Sequence, residues 1–376
     1  MKESIARELM MPKKNKILLS ISTLRGGGAE RVMSILANKL AKNGWDVQLL
    51  TYSNPAEKPF YKIDEDISLV QLDCLNQHKI KRIMSLAKRF LGLRNQIKKF
   101  HPDVILSFLD TNNILTLLSS VGLKIPVIVS ERTNPKISPI SNFKKIIRDW
   151  AYKKANCLVV QNKGIQEIFF ADIGVKAEVI PNPIVIHPEV KWKGHQKEFI
   201  TLGRLDEAKG YTYLIEAFSK IKDQHPDWVL KIFGNGKDKD KFKNQIRSLN
   251  MENRIFINPS INKPAEEISK SKIFVFSSLF EGMPNALMEA MAIGMPVIST
   301  DCDFGPSDLI KNNKNGLLVP IKNSEKLAEA MSRLAKDSNL QNSLGNAAAY
   351  SMKKYEINKV ILLWENVFKK VMKENE

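Results

Sequence analysis

Cysteine is nearly absent: Cys74, Cys157 and Cys302 are the three in 376 residues, far apart and without metal-ligand spacing. That count excludes a disulfide framework and a zinc site of paired cysteines, and the three read as reduced structural thiols in a cytoplasmic protein. The histidines His78, His101, His187, His195 and His225 are scattered and add no zinc pattern. Long apolar runs are missing too. No segment approaches the ~20 uninterrupted apolar residues of a membrane span, and Met1 to Lys16 is polar and charged where a secretory leader needs an apolar core. Acidic residues are short in supply, with 40 Asp and Glu against 58 Lys and Arg, a net charge of +18. Aromatics are few where the basic residues are densest, only Phe90 and Phe100, which speaks against a nucleic-acid surface.

What is present suffices for two domains of ordinary size, since 43% of the residues are apolar. The charge is uneven. Through Val190 there are 29 Lys and Arg against 17 Asp and Glu, a net of +12, and the remainder carries 29 against 23, a net of +6. An excess of that kind calls for an anionic partner, either nucleic acid, a membrane face or a substrate.

The organising stretch is Lys272 to Thr300. Ile273 to Phe276 suits a buried strand of a parallel sheet, and a loop with Glu281 and Gly282 follows. Pro284 is expected in the first turn of a helix, where its missing N–H has no intrahelical partner to lose, and Gly294 with Pro296 ends that helix before a strand at Val297-Ile298. Glu289 stands eight residues after Glu281, about 12 Å further on at regular helical rise. Backbone N–H groups around Pro284, Asn285 and Ala286 form an anion site. Sugar, diphosphate and ribose in a row would span this layout; two solvated glutamates would look the same.

Earlier in the chain, Lys16 to Ser22 is a plausible first strand, followed by Gly26-Gly27-Gly28 and a helical period at Val32, Ile35, Leu36 and Leu40. This is a βαβ opening with a glycine turn that lets backbone approach a ligand, without the dinucleotide fingerprint. Lys79 to Phe100 carries Lys79, Lys81, Arg82, Lys88, Arg89, Arg94, Lys98 and Lys99 and no acid, with an apolar stripe between. Such a basic amphipathic helix suits an anionic membrane surface, at about 1 kcal/mol per basic group, or a core stripe with a wet charged face. The strands at Asp103 to Leu109 and Pro126 to Ser130 end in Asp110 and in Glu131-Arg132, tips that point into a cleft beyond a sheet's carboxyl edge. Asp110 could equally cap the next helix. In the second half, Gly203-Arg204-Leu205-Asp206 to Lys209-Gly210 follows a strand, so that a planar Arg fork and a mobile Lys can clamp a diphosphate. Gly234 lies in a second glycine turn.

A loop Glu281, Gly282-Met283-Pro284, Asn285, Ala286, Glu289 and then Ala-x-Gly-x-Pro-Val-Ile closely resembles the donor site of family-four retaining glycosyltransferases, and Gly-Arg-Leu-Asp-x-x-Lys-Gly matches that family's diphosphate loop. The resemblance covers nearly the whole chain. It implies the α/β GT-B fold, two Rossmann-like domains facing a central cleft. The expected limits are 1–188 for an acceptor domain and 189–350 for a nucleotide-sugar domain, with 351–376 as a helix returning to the first. It also implies a metal-independent transferase without a cofactor, moving a hexose or N-acetylhexosamine from a UDP-sugar. Gly27, Gly28, Gly234, Arg204, Lys209, Gly282 and Met283 are expected to hold the donor, with Glu281 on its sugar and Glu289 on its ribose.

Ser-Glu-Arg at the second tip, where many members have His, resembles the subfamily of amylovoran-type exopolysaccharide and lipid-linked-oligosaccharide transferases. Their polyprenyl-diphosphate-linked acceptors imply a peripheral place on the inner membrane face, with Gly27, Asp110 and Arg132 as acceptor contacts. Asp301-Cys302-Asp303 spells a metal-nucleotide motif of another fold but lies in a loop here. Rival readings are a sugar-nucleotide epimerase of the same fold and a non-catalytic nucleotide-sugar-binding subunit. Arg204→Ala and Lys209→Ala are each expected to lower the rate ~100-fold or more, as for loss of a transition-state donor. Steady-state kinetics check this, and near-normal turnover in both would end the assignment.

Overall fold

A computed structural model describes residues 14–375 except 76–78, 134, 136–140, 187 and 262–263, and for 79–83 it describes backbone alone. Most of the polar segment Met1 to Lys16, together with His78 and His187, lies outside the described residues. The first half runs β1 (Lys16–Ser20), α1 (Gly28–Lys42), β2 (Asp46–Thr51), β3 (Ser68–Gln71), α2 (Lys79–Phe100) and β4 (Val104–Phe108). It continues with α3 (Asp110–Ser119), β5 (Val127–Ser130), α4 (Asn142–Tyr152), β6 (Cys157–Val160), α5 (Lys163–Ile173) and β7 (Glu178–Val179).

The second half opens with β8 (Gln196–Leu202), α6 (Tyr211–Lys220), β9 (Val229–Phe233), α7 (Lys239–Ser248), β10 (Ile255–Asn258) and α8 (Pro264–Ile268). Then come β11 (Ser271–Phe276), α9 (Asn285–Ala292), β12 (Val297–Asp301), α10 (Pro306–Leu309) and β13 (Leu317–Pro320). Three helices close the chain: α11 (Ser324–Lys336), α12 (Ser338–Met352) and α13 (Ile357–Asn375).

Each half forms one parallel sheet, ordered β3-β2-β1-β4-β5-β6-β7 and β10-β9-β8-β11-β12-β13. The middles of their central strands are buried and largely apolar because helices cover both faces. Leu19 of β1 sits opposite Leu49 and Leu106, and Phe199 of β8 opposite Leu230 and Ile273. Strand order reverses between β1 and β4 and again between β8 and β11. A crevice opens beyond the carboxyl ends of the strands at such a reversal, and there ligands bind. Among the described residues no helix is long and apolar enough to cross a membrane.

One face of the first sheet is covered by α1 through Val32, Leu36 and Leu40 and by α13 through Val360, Trp364 and Phe368. The other is covered by α2 to α5, with Leu93, Leu115, Tyr152 and Phe169 at the contact. The second sheet packs Phe199 and Leu230 on Leu214, Phe218 and Met331, and on its other face Phe274 on Leu287, Met291 and Met352. Helix α13 thus comes last in the chain yet completes the first core. The two passages of the chain between domains run side by side: Ile184 N donates to Tyr355 O and Ile357 N to Ile184 O, both at 2.9 Å.

Trp364 is fully buried between Phe108 and Phe368, with ring centroids at 6.1 and 6.0 Å. Trp364→Ala is expected to lower unfolding free energy by about 3–5 kcal/mol, the usual cost of emptying an indole site. The change at exposed Leu362 should stay within about 0.5 kcal/mol. Urea titration of both variants checks the pair.

Candidate active site

The first component is the loop between β8 and α6. Gly210 is left-handed at φ +63°, and its α-carbon lies so close to the Ser277 carbonyl that a β-carbon would overlap it. This conformation turns the chain after a short 3-10 turn, Glu207–Lys209, and brings Lys209 against the loop after β11. Ser277 Oγ donates to Lys209 O and Leu279 N to Ala208 O, each at 2.8 Å. Lys209 Nζ then lies 2.5 Å from Glu281 Oε1 and 5.3 Å from the centroid of Phe276. Ser278 Oγ donates to the same carboxylate oxygen at 2.8 Å. Two predicted site residues from positions 72 apart therefore form one ion pair. Arg204 extends from the same loop, largely exposed, with Nη2 at 3.2 Å from Asp206 Oδ2. The second glycine turn braces the first: Gly234 abuts the Gly203 carbonyl too closely to admit a side chain, and Leu205 N donates to Asn235 O at 2.9 Å.

The second component is the start of α9. Pro284 is extended and sits at the capping position, one residue ahead of the helix and not in its first turn as its sequence context suggests. It offers no side-chain cap, so the first N–H groups, from Asn285 onward, keep their positive end of the helix dipole. The preceding loop is fixed from the other domain. Asn162 Nδ2 donates to Gly282 O at 2.9 Å, and Gly282 also rests against the Gln161 side chain.

Asn182 is the junction. Its Nδ2 donates to Met283 O at 3.1 Å and to Asn285 Oδ1 at 2.6 Å, and its backbone N–H contacts the Met283 sulfur at 3.1 Å. Its Oδ1 accepts from Gln161 Nε2 at 2.9 Å and from Arg132 Nη2. Asn285 Nδ2 donates onward to Gly28 O at 3.0 Å, and a β-carbon at Gly28 would press tightly, at 3.2 Å, on that amide. Gly27 caps α1 as extended backbone beside the Glu30 carboxylate.

Glu289 is nearly buried and meets a partner that sequence reading passed over. Arg31 Nη1 of the first domain is 2.6 Å from Glu289 Oε1, and its guanidinium lies 5.7 Å from the Tyr61 ring. Burial, more than the neighbouring charges, pushes the Tyr61 phenol up to about 12. Arg31 stands three residues after Gly28, just past the glycine turn. Asn182 lies between Pro181 and Pro183, where no local sequence signal marks it as a contact residue.

Other predicted residues are placed differently. Arg132 does not reach the cleft surface: it is buried, 4.7 Å from the Phe108 ring centroid, with Nη1 on Ser130 Oγ at 3.3 Å. Burial lowers its pKa to about 9 against the opposing pull of Glu131. Glu131 is buried beside it, accepts from Tyr152 Oη and Thr133 Oγ1 at 3.0 Å, and is raised by burial. Asp110 accepts from Lys144 Nζ at 2.7 Å and from Thr111 Oγ1 at 3.0 Å. Burial would raise Asp110, but Lys144 and Thr111 outweigh it and hold the carboxyl below its ordinary value.

On α2 the basic residues divide. Lys88, Lys98 and Lys99 are exposed. Arg89 and Arg94 instead turn inward, Arg89 Nε to Cys74 O at 3.2 Å and Arg94 Nη1 to Ser119 O at 2.8 Å. These two are spent on carbonyls that the strand ends and α3 leave open, which corrects their expected place at a membrane. The side chains of Lys79, Lys81 and Arg82 lie outside the described residues.

Asn182→Ala would strand the Arg132 guanidinium, Gln161 and Asn285 at one buried point. At about 1–3 kcal/mol for an unsatisfied buried group and more for a charged one, a loss of roughly 3 kcal/mol is expected, checked by chemical denaturation. A loss under about 0.5 kcal/mol would mean the junction is not closed in solution.

Residues 26–187 match the family model described as Glycosyltransferase Family 4, and residues 184–350 the model described as Glycosyl transferases group 1. The chain is 28% identical over 359 residues to a GalNAc-alpha-(1->4)-GalNAc-alpha-(1->3)-diNAcBac-PP-undecaprenol alpha-1,4-N-acetyl-D-galactosaminyltransferase of Campylobacter jejuni, covering 93% of this chain and 97% of that protein. It is 24% identical over 362 residues to the amylovoran biosynthesis glycosyltransferase AmsD of Erwinia amylovora, covering 94% and 99%. The solved structure of HepE from Anabaena in complex with UDP and glucose has the same fold, with a TM-score of 0.78 at 16% identity over 95% of this chain and all of that one. The two family matches run together from residue 26 to residue 350 and meet where the chain first crosses between domains, and the chain belongs to the glycosyltransferases of the GT-B fold.

Proposed function

We propose that the protein transfers a hexose or N-acetylhexosamine, with retention at the anomeric carbon, from a nucleotide diphosphate sugar to a lipid-linked saccharide in bacterial surface-glycan synthesis. UDP is the favoured carrier. The observation that carries this reading is the contact of Lys209 Nζ with Glu281 Oε1, made where the cationic loop meets the uncapped start of α9. An arriving diphosphate takes its place between Lys209, Arg204 and the first N–H groups of α9, and Glu281 is left to orient the donor sugar through its hydroxyls.

The bond from the anomeric carbon to phosphate breaks with its electrons going to the diphosphate, where Arg204, Lys209 and the helix dipole receive the charge. The acceptor oxygen bonds to the same face of that carbon and gives its proton to the departing phosphate oxygen, so the step needs no protein nucleophile. For Glu289 to hold the ribose diol, Arg31 must first release it, which couples donor entry to the seam between domains. Asp110 and Gly27 border the acceptor side. Arg132, being buried, contributes through Asn182.

The acceptor class rests on the Campylobacter and Erwinia relatives, named for undecaprenol-linked and amylovoran substrates. The carrier rests on neighbours such as HepE, solved with UDP and glucose. Lys88, Lys98 and Lys99 would meet an anionic inner-membrane face, giving a peripheral protein.

A panel of sugar nucleotides, assayed with and without lipid-linked acceptor, tests the reading. Transfer should require the acceptor, proceed unchanged in EDTA, and give a product whose anomeric proton has the donor's configuration by NMR. An inverted product, or turnover restored only by manganese, would contradict it; conversion of the donor to its epimer without acceptor would replace it.

A further inference from the structure

The first domain exposes an apolar stripe that neither cleft nor core uses. On α4, Phe143, Ile146 and Trp150 are 73%, 67% and 51% exposed. Their spacing of three and four puts them on one helical face. The opposite side of the same helix is spent on the core, where Arg148, Ala151 and Tyr152 are buried. Lys153 and Lys154 follow the stripe and are exposed, with Lys154 Nζ 5.0 Å from the Trp150 ring centroid. Helix α3 packs against both α2 and α4, so the outward sides of these helices belong to one layer. On α2 the exposed face alternates Met84, Lys88, Leu91 and Lys98, again at three- and four-residue steps and their multiples.

We propose that the Phe143–Ile146–Trp150 edge of α4 inserts into the interfacial layer of an anionic bilayer, with the lysines of α2 and of the α4 end resting on the headgroups. This rests on the membrane-linked acceptor proposed above and adds the element that enters lipid. Charge selects the occupant. Helix α2 exposes Lys88, Lys98 and Lys99 and has no acid, and the acid of α4, Asp149, is taken by Arg148 at 2.7 Å. A second copy docked on this face through a two-fold axis would set each basic rim against its own image, whereas anionic lipid complements it. The chemistry of the stripe agrees: Trp and Lys settle at headgroup depth, and Phe and Ile below it. The placement has a consequence for the cleft. Lys144, in the first turn of α4, is bonded to Asp110 just beyond the carboxyl end of β4, so lowering this edge into lipid brings the bilayer to the acceptor side of the cleft.

The test is sedimentation of the full chain with vesicles of phosphatidylcholine alone or mixed with phosphatidylglycerol. Quenching of Trp150 by brominated lipid is read as the difference between the wild type and Trp150→Phe. Wild type should bind the mixed vesicles and show that quenching. The triple variant Phe143→Ser, Ile146→Ser, Trp150→Ser should bind about tenfold or more weakly, with unchanged circular dichroism and unchanged binding of sugar nucleotide. Lys88→Glu with Lys98→Glu should abolish the preference for phosphatidylglycerol. Triple-variant binding equal to wild type, absence of Trp150 quenching, or a wild-type dimer that Ile146→Ser dissociates would each overturn the proposal. Failure here with donor turnover intact leaves the transferase reading standing; vesicle binding without any nucleotide-sugar binding would sink that reading and spare this one.

Discussion

A short helix whose first N–H groups have no cap is the constraint from which the rest of the site follows. Helix α9 starts at Asn285 behind a proline that can offer no side-chain acceptor, and a terminus of this kind is stabilised by an anion. The protein supplies fixed positive charge beside it, Lys209 and Arg204, on a loop that a left-handed glycine folds back onto the β11 strand end. Glu281 holds Lys209 at 2.5 Å. The pair fixes the half-buried ammonium beside the start of α9.

The same terminus is held from the opposite domain. Asn182 uses both ends of its side-chain amide, Nδ2 donating to Met283 and Asn285 and Oδ1 accepting from Gln161 and Arg132, while its backbone N–H reaches the Met283 sulfur. Arg132 is held in its buried place by Asn182, Ser130 and the face of Phe108 around its guanidinium. Arg31 reaches Glu289 across the same seam. The relative position of the two sheets is thus encoded in polar groups that must be satisfied, with α13 fastening the outer side through Trp364. Polar seams of this kind reopen more readily than apolar ones, which suits a cleft that must admit a donor and release a nucleotide.

What could be read along the chain was whatever depends on neighbours in sequence. The apolar run of β11, the loop glutamate, the proline and the second glutamate are local, and so are the glycine turns after β1 and β8. Asn182 was invisible as a hub because its partners Met283 and Asn285 lie 101 and 103 residues away. Arg132 looked like a cleft cation because a strand tip says where a backbone ends and not which way its side chain turns. Arg89 and Arg94 resemble Lys88 and Lys98 in an amphipathic pattern, yet carbonyls of Cys74 and Ser119 within reach draw them inward. The stripe on α4 has no local signature: apolar residues at helical spacing serve a core or a surface equally, and the packing of Arg148 and Tyr152 on the other side leaves Phe143, Ile146 and Trp150 outside.

The measurement that bears most directly on this account is a crystal structure of the protein soaked with UDP. The diphosphate is predicted to lie against Lys209 and the N–H groups that open α9, with Arg204 turned in from solvent and the ribose hydroxyls on Glu289 in place of Arg31. Nucleotide found elsewhere, with the Lys209–Glu281 and Arg31–Glu289 pairs intact and the start of α9 facing water, would contradict it.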